Sequence, residues 1–146
     1  MKIRNATKID IRTIAKLMLE EFRKPPFNER VSLDAVIKSM NFYFKLGKIY
    51  VVTEKKEIIG VLVFKTEQYW EGPVIIIEDL AVKNNFKKQG VGKMLMSYVE
   101  SYAKNNSIKR VLSLTNKKSL AIKFCKKIGY KPLKNVINFE KKIIIT

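Results

Sequence analysis

The chain predicts an α+β domain, a mixed sheet flanked by helices. Three observations carry that expectation. The run Val74-Ile75-Ile76-Ile77 is continuously β-branched, as expected for a strand covered on both faces. Apolar residues recur at helical spacing on either side of it, at Ile11, Ile14, Met18 and Phe22, and again at Val91, Leu95, Tyr98, Val99 and Tyr102. At 146 residues and 47% hydrophobic, the chain can bury one sizeable core and has no room for a second, so residues 1–146 read as a single domain.

In chain order, Lys2-Ile3-Arg4 reads as an edge strand and Asp10 as the N-cap of the first helix. Pro25-Pro26 ends that helix, because proline lacks the N–H donor and disfavours helix before it. Ser32 caps a second helix with apolar positions Val36, Ile37, Met40 and Phe44 and a stop at Gly47. Ile49–Thr53 and Ile58–Lys65 are strands joined by the polar turn Glu54-Lys55-Lys56-Glu57. Tyr69 to Pro73 reads as a connection, and Val74–Val82 as the central strand. Gly90–Lys104 forms a helix and Arg110–Leu114 a short strand. Ser119 caps a final helix through Ile128, and Tyr130–Thr146 is expected to supply terminal strands.

Composition narrows the function classes. There is no apolar run long enough to span a bilayer, and the start MKIRNATKID lacks the apolar stretch of a signal peptide. A single cysteine excludes an intramolecular disulfide, and with histidine absent no metal site is expected. The chain reads as soluble and cytoplasmic, without membrane partners. Its net charge of +17 is unevenly placed: residues 1–82 carry 14 basic and 11 acidic side chains, residues 83–146 carry 16 and 2. Such a field would steer a polyanion, although a solvated lysine-rich surface would give the same count. A pI near 10.0 also admits nucleic acid. No interleaved aromatic–basic motif and no helix-turn-helix signature supports that reading.

The basic half holds the most specific motif. After Val82 a loop bearing Lys83, Lys87 and Lys88 reaches Gln89-Gly90-Val91-Gly92, where a helix begins. A glycine turn at a helix start offers several N–H groups without intrahelical acceptors, at the positive end of the helix dipole, and so suits phosphate. No P-loop pattern is present. A dinucleotide fingerprint fails because Leu95 occupies its third glycine position. What remains is Lys87-x-x-Gly90-x-Gly92.

That stretch resembles the acyl-CoA-binding signature R/Q-x-x-G-x-G/A of the GCN5-related N-acetyltransferase (GNAT) superfamily. Ala121-x-x-Phe124-Cys125-x-x-x-Gly129-Tyr130 is similar to the second signature of the superfamily, A-x-x-L/F-Y-x-x-x-G-F/Y. The resemblance covers residues 49–133. It implies the acyl-CoA N-acyltransferase fold, a mixed, mostly antiparallel sheet with about four helices, and acetyl-CoA as co-substrate. It places Lys87, Lys88, Gln89, Gly90, Val91, Gly92 and Lys93 around the CoA phosphates. It gives main-chain groups of Leu80, Ala81 and Val82 to the pantetheine arm, one of their N–H groups polarising the thioester carbonyl. Asn116 is the matching candidate for the pantetheine amides, two residues further from Ala121 than usual, so that an ordinary turn asparagine is the competing role. Lys87 replaces arginine or glutamine, which keeps the charge. Cys125 replaces the tyrosine that protonates the departing thiolate. A thiol of pKa near 8.5 could donate, but its reach is shorter and it lies on an apolar face, so Cys125 reads as structural and Tyr130 as packing.

The implied chemistry is direct attack of a primary amine on the thioester. An alkylamine of pKa near 10.4 lies about 3.4 units from its reactive form at pH 7, a cost of about 4.6 kcal/mol. A positioned carboxylate can remove that proton. Glu78 is the candidate general base, since Glu78-Asp79-Leu80-x-Val82 resembles the E-D-I/L-x-V stretch of diamine acetyltransferases; the competing role is an ion pair with a neighbouring lysine. Side chains alternate along a strand, so Glu78 and Asp79 share a face only if a bulge intervenes. Acids at Glu20, Glu21, Glu29 and Asp34, in the region that walls the acceptor side in this superfamily, suggest a cationic acceptor, such as a polyamine, an aminoglycoside or a protein amine. A homodimer is compatible with this reading. The competing functions are a degenerate acyl-CoA sensor without turnover, which Cys125 would suit, and a basic nucleic-acid-binding domain.

Overall fold

The computed structural model describes residues 1–145. The described elements are β1 (Lys2–Asn5), α1 (Ile11–Phe22), α2 (Leu33–Leu46), β2 (Lys48–Glu54), β3 (Glu57–Tyr69), β4 (Gly72–Val82), α3 (Val91–Asn105), β5 (Val111–Ser113) and α4 (Ala121–Lys127). The strands form one sheet in the order β1-β2-β3-β4-β5, antiparallel except for the parallel β4–β5 pair. This is the mixed, mostly antiparallel sheet with four helices that the resemblance implies.

Strand alternation splits the core into two layers. Ile49, Val51, Val61 and Val63 face α1 and α2, packing on Ile14, Met18 and Met40. Tyr50, Val52, Leu62 and Phe64 face the other way, onto Val91, Leu95 and Val99 of α3. A two-layer cover of this kind explains why the β3 and β4 sequences are so continuously apolar. Among the described residues, no helix is long and apolar enough to cross a membrane.

Several local expectations are corrected. Asp10 does stand at the N-cap position of α1, but its side chain makes no cap bond to that helix. It is instead the third residue of a short 3₁₀ turn begun by Thr7, in a capping box that also binds Arg4. Ser32 does cap α2, accepting from Ala35 N–H at 3.1 Å. In α2, Phe44 stays partly exposed while Tyr43 packs on the core. Tyr69–Pro73 is the tip of a long β3–β4 hairpin, with Tyr69 paired to Gly72. The central strand is β3; β4 lies next to the edge because the sheet ends at β5.

The largest correction is at the C-terminus. No strand forms among residues 130–145; residue 146, the end of the expected strand region, lies outside the described residues. Leu133, Val136, Ile137, Phe139 and Ile143–Ile145 are 53–91% exposed. Their apolar character suits a strand, but a strand needs a ladder partner, and the described segment pairs with none.

Candidate active site

A cavity of about 710 Å³ opens between the two halves of the fold. One wall comes from α1, α2 and the segment joining them; the floor is Ile77–Leu80 of β4; the opposite wall is Ser113–Asn116 with Ala121, Phe124 and Cys125.

The floor owes its shape to a β-bulge. Val63 of β3 pairs with Asp79, but Phe64 pairs with Ile77, leaving Glu78 as the extra residue. The bulge changes which residues face which layer. Ile75 and Ile77 pack toward α3, while Ala81, of the same parity, packs toward α1 and α2. Asp79, opposite Val63, follows Ala81. The condition set by strand alternation is met, and Glu78 and Asp79 both line the cavity.

Their environments differ. Glu78 Oε1 lies 3.3 Å from Lys65 Nζ, which also pairs with Glu67 at 3.1 Å. Its competing role as an ion-pair partner is therefore occupied in fact, while the carboxylate still reaches the cavity. Tyr43 faces it from α2, and the phenol pKa is raised first by burial and then by the charge of Glu78. Asp79 feels the like charges of Glu78 and Glu29. Burial, then the charges of Glu78 and Glu29, push its carboxyl up to about 7. A carboxylate half-protonated near neutral pH suits proton transfer.

The backbone beside the floor is partly free. β5 pairs with Ile75–Ile77, so Leu80, Ala81 and Val82 lie beyond its last residue, with no strand partner on that edge among the described residues. Gly90 immediately precedes α3 in a left-handed conformation, φ +85°, and a Cβ placed on it would meet nothing within 4 Å. A Cβ on Gly92 would come within 3.2 Å of Phe124 Cζ, so this glycine lets α4 approach α3. The N–H groups of Val91, Gly92 and Lys93 open the helix without intrahelical acceptors. An edge free for pairing beside a helix start with open space above it fits an extended ligand ending in phosphates.

The other candidates divide. Lys87 sends its ammonium back to α1, 2.5 Å from Glu21 Oε1. Lys24 holds the other oxygen of this buried carboxylate at 2.9 Å. Burial alone would raise the pKa of Glu21, but the two lysines outweigh it and hold it below its ordinary value. Lys88 has φ +62°, and Gln89 donates to the Asn85 carbonyl, so both shape the loop. Asn116 lines the cavity, yet its side-chain oxygen accepts from Lys118 N–H at 2.8 Å, the turn role foreseen as its alternative; its NH₂ group has no such commitment. Cys125 lines the cavity half-buried, and burial raises its thiol pKa. Tyr130 packs on the core and donates to Glu100 at 3.2 Å.

Of the acids in the N-terminal region, only Glu29 lines the cavity. Sequence reasoning missed Lys65 and Tyr43, which frame Glu78, and Asn138, which reaches the cavity from the C-terminal segment. Their proximity comes from tertiary pairing, and no motif announced it. Among the described residues, no cluster of acids and cysteine could hold a metal ion.

The profile of the Acetyltransferase (GNAT) family matches residues 12–130. No curated protein matches the chain in sequence. Solved structures share the fold. A probable acetyltransferase gives a TM-score of 0.83 at 19% identity over 100% of both chains. The aminoglycoside antibiotic 6'-N-acetyltransferase AAC(6')-IG from Acinetobacter haemolyticus gives 0.80 at 20% identity, over 99% of this chain and 100% of that one. AAC(6')-Iy, in complex with the bisubstrate analog CoA-S-monomethyl-acetylneamine, gives 0.79 at 18% identity, over 97% and 98%. At such identities the likeness is one of fold.

Proposed function

The chain belongs to the acetyltransferase (GNAT) family, whose members use acetyl-CoA, and on that premise we propose that it transfers an acetyl group to a cationic primary amine. The observation that carries this reading is the bulge at Glu78, which brings two carboxylates to the floor of one cavity beside an unpaired strand edge.

Acetyl-CoA supplies an activated acyl group, so that attack by the amine nitrogen forms an amide and releases the CoA thiol. The residues of this chain would do the rest. N–H groups of Val91, Gly92 and Lys93, with the turn from Lys87 through Lys88 and Gln89 to Gly90, would hold the phosphates. Main-chain groups of Leu80, Ala81 and Val82 would pair with the pantetheine arm like an added strand. One of their N–H groups would polarise the carbonyl, a role whose loss in other enzymes costs roughly 3 kcal/mol. The NH₂ of Asn116, whose side-chain oxygen is taken by Lys118 N–H, would donate to a pantetheine carbonyl.

Glu78 remains our general base, acting in a coupled pair with Asp79. The charge of Glu78, after burial, helps push the Asp79 carboxyl up to about 7. Lys65 would orient the Glu78 carboxylate, which attracts the ammonium and accepts its proton. Cys125 is given no acid role: its short side chain sits in the cavity wall, and the CoA thiolate is protonated from water.

The structural likeness to aminoglycoside acetyltransferases supports an amine acceptor. The test is a panel of amines offered with acetyl-CoA and read by free-thiol release. Acetyl-CoA binding with no release from any amine would favour the sensor; salt-sensitive RNA binding without CoA binding would favour the nucleic-acid reading.

A further inference from the structure

We propose that the acceptor is an amphiphilic monoamine, a single ammonium head on an apolar body such as an arylalkylamine or a medium-chain alkylamine. This deepens the acetyltransferase reading and rests on it for the reaction, though not for the binding.

Two features of the cavity point this way. The first is charge. In a chain with 30 basic and 13 acidic residues, the lining contains Glu29, Glu78 and Asp79 and, among the described residues, no lysine or arginine. An acidic cavity in so basic a protein is a local selection for a cation. The three carboxylates are also gathered: Glu29 and Glu78 are both close enough to act on Asp79. They are the only carboxylates among the described lining residues, at the β4 floor and on the segment joining α1 to α2, so a second ammonium reaching the other walls would find no counter-charge.

The second is the wall opposite. Met18, Leu19, Phe22, Phe27, Val31 and Val36 line the acceptor side, with Ser39 the one uncharged polar side chain among the α1 and α2 residues there. Phe22 and Phe27 meet edge to face at 5.0 Å, which makes a firm aromatic corner. Val31 lines the cavity and is 44% exposed. Such a wall gains by covering a ring or an alkyl chain. Beyond Ser39 and the head-group acid Glu29, its described lining offers no side-chain partners for the hydroxyls and extra ammoniums of an aminoglycoside, which would be desolvated without replacement bonds.

The test uses the purified full chain with 2-phenylethylamine, octylamine, ethanolamine, spermidine and kanamycin. Two readouts run in parallel: free-thiol release with acetyl-CoA, and calorimetric binding of each amine to the CoA-loaded protein. Phenylethylamine or octylamine should exceed spermidine and kanamycin at least tenfold in kcat/KM and in affinity. Phe22→Ala should lower the ratio of phenylethylamine or octylamine to spermidine at least fivefold in kcat/KM and in affinity. Equal or better performance by spermidine or kanamycin overturns the proposal and leaves acetyl transfer standing. Tight binding of the apolar amines without acetylation upholds the acceptor class and defeats the transferase reading. If the apolar amines neither bind nor react, the proposal is wrong whatever the other amines do.

Discussion

Asp79 pairs with Val63 one step out of phase with the Ile77–Phe64 pair, and the residue this leaves over is Glu78. In an unbroken ladder Asp79 would follow Ile75 and Ile77 into the layer beneath α3, where an unpaired carboxylate would be expensive. The bulge instead turns it toward Glu29 and the cavity. A single inserted residue therefore creates the two-carboxylate floor on which the proposed chemistry depends.

Replacing Glu78 with glutamine keeps the shape and removes a charge. Acetyl-CoA binding should survive. The rate at neutral pH should fall by about two orders of magnitude, a typical contribution from a positioned base. The loss should shrink at high pH, where the free amine needs no base. Because the charge of Glu78 helps raise the pKa of Asp79, the residual activity should keep its acidic limb, moved to lower pH. Full activity, or a loss independent of pH, would reassign Glu78 to its ion pair with Lys65.

Asp79→Asn should separate stability from activity. The folded-state pKa of Asp79 is raised from 3.8 to about 7, so between those values the native state holds a proton that the unfolded chain has released. Stability is then lost as pH rises from about 4 to 7, and the ionised form is the costly one. Asparagine cannot ionise. Denaturant melts should show the variant more stable than the parent by about 1–2 kcal/mol at pH 8, after allowance for partial exposure, with the gap closing near pH 4. Turnover at neutral pH should fall at least tenfold. A variant less stable at pH 8 than at pH 4, relative to the parent, would contradict the assigned burial cost.

Much of this architecture is legible in the residues themselves. The apolar stripes of α1 and α3 and the β-branched runs of β2 to β4 carry their own periodicity, and Gly90-x-Gly92 marks where α3 begins. The bulge is visible in the sequence only as a condition, two adjacent carboxylates in an apolar strand. Whether it is met depends on the register with β3, which is a property of the pair. Lys87 shows the limit of motif reading: its position matches the signature, but the buried Glu21, 66 residues earlier, holds its ammonium. In the C-terminal segment, the apolar pattern of Leu133 to Ile145 suits a strand, yet periodicity says nothing about whether a partner edge is available.

Asp10→Ala should destabilise the fold without touching the cavity. Asp10 accepts from Arg4 at 2.7 Å and from Thr7 N–H at 2.7 Å, joining β1 to the turn that enters α1. The Arg4 hydrogen bond, outweighing partial burial, lowers its carboxyl to about 2. The depressed value means the contribution is complete above pH 4 and disappears as pH falls through 2. Losing a capping box and a bidentate pair should cost about 1–2 kcal/mol at pH 7 by thermal melting. The difference from the parent should narrow on acidification below pH 3. A constant difference down to pH 2 would mean that the ionised side chain is not what stabilises the turn.

Gly90 offers the sharpest probe of the phosphate site, because the two glycines of the motif do different work. A side chain at Gly92 strikes Phe124, so any loss of binding there mixes with displacement of α4. At Gly90 a Cβ meets no protein atom within 4 Å, and the space it enters is the space assigned to the phosphates. Its φ of +85° disfavours most side chains, but asparagine tolerates left-handed backbone better than other residues. Gly90→Asn should melt within a few degrees of the parent. Gly90→Val should be less stable by roughly 1–2 kcal/mol from backbone strain. Both should bind CoA at least tenfold more weakly, a loss of about 1.4 kcal/mol, because the added atoms occupy the anion's place above the α3 N–H groups. Dephospho-CoA and CoA should be weakened alike, since the pyrophosphate they share is the group assigned to this turn. Unchanged CoA affinity by calorimetry in a folded Gly90→Asn protein would remove the motif from the binding site.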